Sequence, residues 1–232
     1  MSPLVKIKNL SYTYHTPKGE TKTLENINLE INKGEFVSIV GPSGCGKSTL
    51  LSLISGLLQP SIGEVFLDKS LIINDSHYIG YMLQKDHLFE WRTVYKNVLL
   101  GLEINNKICK ESLQYIDDLL KKYGLYDFKN YKPSQLSGGM RQKAALIRTL
   151  ALQPEILLLD EPFAALDYQT RLSAGDEIGT ILKKENKTAL LVTHDIADAI
   201  FHKKLLNQLF HTSKYKQMIT ILLLHLIIGT KS

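Results

Sequence analysis

The stretch GPSGCGKST, Gly41 to Thr49, has the residue types of a loop that wraps a phosphate chain. Gly41, Gly44 and Gly46 let the backbone curl until successive N–H groups point at one anion, and a helix starting behind them adds the positive end of its dipole. Lys47 is long enough to reach the β- and γ-phosphates of a nucleotide, and the Ser48 hydroxyl suits Mg²⁺. Pro42, Ser43, Cys45 and Thr49 complete the loop. A thiol near a helix N-terminus can have a lowered pKa, but Cys45 is read as a small filler whose N–H serves the anion.

Two further groups carry chemistry. ILLLDEP, Ile156 to Pro162, closes an apolar run with adjacent acids: Asp160 suits Mg²⁺, directly or through water, and Glu161 suits a general base that polarises an attacking water. In LSGGMRQ, Leu136 to Gln142, Ser137 is a natural N-cap, and Gly138 and Gly139 permit close approach at the start of a helix. That start is a second anion-binding N-terminus, and one nucleotide does not obviously need two.

The elements that must position these groups are legible around them. FVSIV, Phe36 to Val40, reads as a buried strand, and LLSLIS after the glycine loop has helical spacing and is closed by Gly56. In a parallel sheet ligands gather at the carboxyl ends of strands, so Asp160 and Glu161 are expected beside the phosphate loop. The pattern predicts a helix over Met140 to Leu152 and a hairpin over YTYHTPKGETKTL. TVYKNVLLGLEI and KESLQYIDDLLKKYGL read as helices, the second with Leu113, Ile116, Leu119 and Leu120 on its apolar positions and Gly124 as its stop. The expected fold is α/β: a P-loop core from residues 1–84 and 155–200, with an antiparallel β portion and an inserted helical subdomain over about 87–154.

Composition bounds the reading. The 232 residues carry a formal charge of +5, but residues 201–232 hold five lysines and no acid, and the remaining 23 basic residues match 23 acids. The first 200 residues are therefore neutral, which removes the electrostatic case for a nucleic-acid partner. Two cysteines make no disulfide framework, and the start MSPLVKIKNLSYTY has no apolar stretch of signal-peptide type. A reducing, cytosolic location is the expectation.

GPSGCGKST, LSGGMRQ and LLLDEP, in that order, resemble the ATP-binding-cassette (ABC) family, the ATPase subunits of ABC transporters. The resemblance runs from about residue 4 to Ile200 and implies ATP and Mg²⁺ as ligands. It also implies a head-to-tail dimer of two cassettes, in which Ser137, Gly138 and Gly139 serve the partner's γ-phosphate. It implies Gln84 at Mg²⁺ and the water, Asp167 of AALD in a loop that crosses the dimer, and His194 as a sensor of the γ-phosphate. Tyr14 would stack on adenine, with Tyr12 a near rival. LQKDHLFEWRTVYKNVLLGLE and DEPFAALDYQTR resemble most the subgroup serving nitrate, sulfonate and taurine importers. That implies a permease contact over Gln84 to Thr93 and a peripheral place on the cytoplasmic side of the membrane, touching it only through a partner. His87, Phe89 and Trp91 then read equally as an interface anchor or as core. A soluble non-transport cassette is the alternative.

After Ile200 the resemblance stops. MITILLLHLIIGT, Met218 to Thr230, is shorter than the roughly 20 apolar residues a spanning helix needs, so it reads as a replacement core segment or a surface helix. The sudden loss of acids is also what a changed reading frame or a truncated gene would give. That reading implies a core without its edge strand, and a cassette that binds nucleotide but hydrolyses poorly.

Overall fold

The computed structural model describes residues 2–17, 19–68, 70–71, 79–164, 166–185, 187–194 and 220–223. In chain order the strands are β1 (Val5–Thr16), β2 (Gly19–Ile31), β3 (Phe36–Val40), β4 (Ile62–Leu67), β5 (Ser70–Leu71), β6 (Ile79–Met82), β7 (Ile156–Asp160), β8 (Thr188–Thr193) and β9 (Thr220–Leu223). The helices are α1 (Lys47–Ile54), α2 (Val94–Ile104), α3 (Lys110–Lys122), α4 (Gly138–Leu150) and α5 (Tyr168–Lys184). The chain divides into two compact units, Met1–Ser76 with Thr188–Ser232, and His77–Lys187.

In the first unit the expected hairpin is present. β1 and β2 pair antiparallel from Val5↔Ile31 to Thr16↔Gly19, in a four-stranded sheet ordered β2-β1-β4-β5. Alternation in VKIK buries Val5 and Ile7, Leu10 is buried beyond the shift of register after Ile7, and burial of each such side chain contributes roughly 1.5–3 kcal/mol. The register shifts near Asn9 and Asn26, both at positive φ, and their amides are taken up by Asn28 Oδ1 and Ser11 Oγ. β3 and β8 are buried along their whole length and pair parallel from Phe36↔Ala189 to Val40↔Thr193. On its other side β3 pairs parallel with β9, Val37↔Thr220 to Val40↔Leu223. β9, inside the Met218–Thr230 run, is thus an edge strand beside β3. The rest of the tail, residues 201–219 and 224–232, lies outside the described residues.

In the second unit β6 and β7 pair parallel, Ile79↔Ile156 to Met82↔Leu159. α2 opens on Thr93, whose hydroxyl accepts from the Lys96 amide. α3 buries Ile116, Leu119 and Leu120 and ends at Gly124, whose φ of 71° closes the helix as its sequence requires. α4 begins two residues earlier than the pattern predicts, because Ser137 caps it directly, and ends at Leu150, where the Gln153 amide returns to the Leu150 carbonyl with Gln153 at φ 53°. Among the described residues no helix is long and apolar enough to cross a membrane.

Candidate active site

The phosphate loop leaves β3 at Val40. Gly41 N–H donates to the Thr193 carbonyl at 3.3 Å, so His194, exposed and next after β8, sits at the mouth of the loop. The Cys45 amide turns back to Pro42 O, and Gly46 caps α1 at φ 90°. Only glycine fits there: a Cβ would also meet Thr23 O at 3.0 Å and Leu24 Cδ2 at 2.9 Å. Lys47 is buried, with its ammonium on the carbonyls of Gly41 (2.8 Å) and Pro42 (3.0 Å) and 4.0 Å from the buried Cys45 sulfur. Pro42, Ser43, Gly44 and Ser48 are exposed along the loop. No acid stands in the first turn of α1, so the helix start keeps its full preference for an anion.

Tyr14 and Tyr12 are packed edge to face, ring centroids 4.9 Å apart. Tyr14 is the one whose hydroxyl reaches Thr49, 3.3 Å from its Oγ1. Its ring is 39% exposed, so an aromatic face stands beside the helix that follows the loop.

The parallel register of β6 and β7 brings Gln84 and Glu161 out at the same strand ends, and Gln84 Nε2 donates to Glu161 Oε2 at 3.3 Å. Glu161 is held at φ 43°, a left-handed conformation that costs a non-glycine residue on the order of 1–3 kcal/mol and clusters at functional sites. The turn after it is closed by Ala164 N–H to Glu161 O. Asp160 is buried, and the Tyr81 hydroxyl donates to its Oδ2 at 3.4 Å. Within the second unit Asp160 and the Gln84 amide, and within the first the exposed Ser48 hydroxyl, each offer hard oxygen donors of the chemistry Mg²⁺ prefers.

Ser137 Oγ accepts from the Met140 amide at 3.3 Å at the start of α4. A Cβ on Gly138 would stand 2.9 Å from Leu166 Cδ2, so the helix start packs close against the loop after β7. Asp167 in that loop caps α5: its Oδ1 accepts from the Thr170 amide at 3.1 Å, and hydrogen bonding from Thr170 holds its carboxyl below the ordinary range. Gly139 contacts Thr170, its virtual Cβ 3.4 Å from the Thr170 methyl.

The ABC transporter family model matches residues 24–164, more than half of the chain. The chain belongs to the ABC transporter family. It is 49% identical over 194 residues to the uncharacterized ABC transporter ATP-binding protein YtlC of Bacillus subtilis, covering 84% of this chain and 75% of that protein. It is 39% identical over 197 residues to the aliphatic sulfonates import ATP-binding protein SsuB of Bacillus cereus, covering 85% and 77%. The fold is similar to a dimeric, post-hydrolysis ATP-binding cassette, MJ0796 bound to ADP and Pi, at TM-score 0.73 and 37% identity over 85% of this chain and 90% of that one. This ABC cassette is therefore an α/β ATP-binding ATPase, as the motifs imply.

Some groups at the site escaped sequence reasoning. Tyr81 is one, since nothing in IGYM marks its hydroxyl for an acid 79 positions away. Arg141 and Arg148 are others; both bond to the segment after Gln84, and their two-turn spacing on α4 is the signal that could have found them. Trp91 is 73% exposed, with its ring 4.7 Å from that of Phe89, which takes Trp91 out of the core.

Proposed function

We propose that this cassette energises a membrane importer for small oxyanions of the sulfonate, taurine and nitrate kind. It would work as a head-to-tail pair of copies that closes on two ATP and reopens after hydrolysis. The observation that carries the paired reading is the presence of two helix starts built for anions, α1 behind Gly41 to Gly46 and α4 behind Ser137 to Gly139, neither with an acid in its first turn. A single triphosphate uses one; a partner's triphosphate gives the other its role. The dimeric relative and the sulfonate-import relative support the same reading.

In this mechanism the loop amides and Lys47 stabilise charge on the transferring phosphoryl group, and Tyr14 stacks on the base. Glu161 takes the proton of the attacking water, Gln84 orients that carboxylate through the bond already present, and His194 hydrogen-bonds the γ-phosphate. Ser48, Asp160 and Gln84 would hold Mg²⁺, which would supply positive charge to offset that of the triphosphate. Asp167 fixes the loop that meets the second copy. The cassette touches the membrane only through a permease, which receives the exposed face around Trp91, so its place is peripheral and cytoplasmic.

Affinity capture of the tagged chain from detergent-solubilised membranes of its own host tests the transport reading. A permease with several membrane spans is the expected companion. Capture of polymerase or ribosome components in its place would contradict it.

A further inference from the structure

The segment Asp86–Arg92, between Gln84 and α2, is gripped from two sides. From α4, Arg141 Nε donates to Asp86 Oδ2 at 2.8 Å, while its Nη2 donates to Asp86 Oδ1 at 3.1 Å and Glu90 Oε1 at 2.8 Å. Two turns on, Arg148 donates to the carbonyls of Asp86 (2.7 Å) and His87 (2.8 Å). From α2, the fully buried Asn97 accepts from the Phe89 amide at 2.7 Å and donates to the carbonyls of Phe89, Arg92 and Thr93. Asp86 Oδ1 also accepts from the Leu88 amide at 3.0 Å. Burial alone would raise the Asp86 carboxyl; the bonds from Arg141 and Leu88 outweigh it and hold the group below its ordinary range. His87 is kept at φ 46°, a conformation that persists only where its surroundings over-determine it. Leu83, Gln84 and Lys85, between this segment and β6, are exposed.

We infer that Arg141 is a positioning residue that makes Asp86–Arg92 one rigid body with the helix whose N-terminus is Ser137–Gly139, so that bending is confined to Leu83–Lys85. The bidentate fork is the reason for arginine: it fixes a carboxylate in plane as well as in distance, which a lysine ammonium cannot do. An anion engaged at Ser137 and a contact made on Trp91 then act on the same body. Gln84 lies in the joint, and its contact to Glu161 is the bond that any rotation of this body lengthens or shortens. The inference rests on the proposed nucleotide role of the α4 start only in its second part, and the test separates the two.

The test is amide hydrogen exchange on the full chain in a Glu161→Gln background, comparing Arg141 with Arg141→Met and, as the isosteric second variant, Asp86→Asn. Without nucleotide, each variant is expected to speed exchange at Leu88, Phe89 and Arg92 at least about ten-fold while the first turns of α4 keep their rate. With Mg·ATP, the unaltered clamp is expected to gain protection at both 86–92 and the α4 start, and the variants at the α4 start alone; Arg141→Lys should behave like Arg141→Met. Unchanged exchange at 86–92 in both variants, or equal nucleotide-induced protection there with and without the clamp, overturns the inference. If the α4 start gains no protection in any form, the nucleotide role of that helix fails, and the nucleotide-free comparison alone decides the clamp.

Discussion

Gln84 Nε2 stands 3.3 Å from Glu161 Oε2, joining the second residue beyond β6 to the first beyond β7, two parallel strands whose last paired positions are Met82 and Leu159. The contact holds the proposed base through a neutral amide, so it restrains the carboxylate without adding charge. Replacing Gln84 with Ala is expected to lower turnover more than it weakens ATP binding, by roughly ten-fold or more, since a released carboxylate spends less time aimed at the water. Steady-state phosphate release set beside equilibrium nucleotide binding checks this, and an equal loss in both would assign Gln84 to binding.

Gly46 gives a sharper test of the phosphate loop. At φ 90°, with Thr23 O 3.0 Å from a would-be Cβ, alanine must distort the loop at the start of α1. Gly46→Ala should lose most of its ATP affinity while the far-UV circular dichroism stays that of the parent, because the strain falls on a few loop residues. Parent-like affinity would mean the loop amides are not arranged around the phosphates as proposed.

Much of this architecture is legible in the sequence because its signals are local. The glycine loop, the Ser137 cap, the apolar positions of α3 and its Gly124 stop each lie within a few residues of what they determine. Arg141 and Asp86 are 55 positions apart, and no local pattern joins them. The positive φ of Glu161 is likewise imposed by what surrounds it, against the preference of glutamate itself. β9 was hidden for another reason: TILL lies inside a longer apolar run without turn residues at its ends, and its partner β3 is far away in sequence.

β9 carries its own prediction. It extends the sheet beside β3, the strand that ends at the phosphate loop, through the pairs Val37↔Thr220 to Val40↔Leu223. A chain ending at Ile219 is expected to melt several degrees lower, as the lost ladder bonds contribute about 0.5–1.5 kcal/mol each. Addition of Mg·ATP should recover part of the loss through binding to the folded form. An unchanged melting temperature would remove β9 from the stabilising core.

Glu185, just after α5, accepts from Lys122 Nζ at 2.6 Å and Tyr123 OH at 2.9 Å, tying α3 to α5. Burial alone would raise its carboxyl, and these two bonds bring it below the usual value of 4.5. A depressed folded pKa contributes stability that is complete above the unfolded value and is lost as pH falls through the folded one. Glu185→Gln should therefore be less stable than the parent at pH 7, with the gap closing as pH drops below about 4.5. The neighbouring Tyr115, pushed up to about 12 by burial first and then by Glu185, gives the opposite sign: its contribution is complete below pH 10 and is lost as pH rises toward its folded value. Denaturant midpoints across pH 3 to 7 decide the first, and a gap that widens toward acid would contradict it.

Phosphate release by the Glu161→Gln variant decides whether this cassette hydrolyses ATP with Glu161 as its base. The variant should keep an ATP affinity within a few-fold of the parent chain while its turnover falls by roughly 10²–10⁴-fold. Turnover equal to the parent's, at equal ATP occupancy, would contradict it.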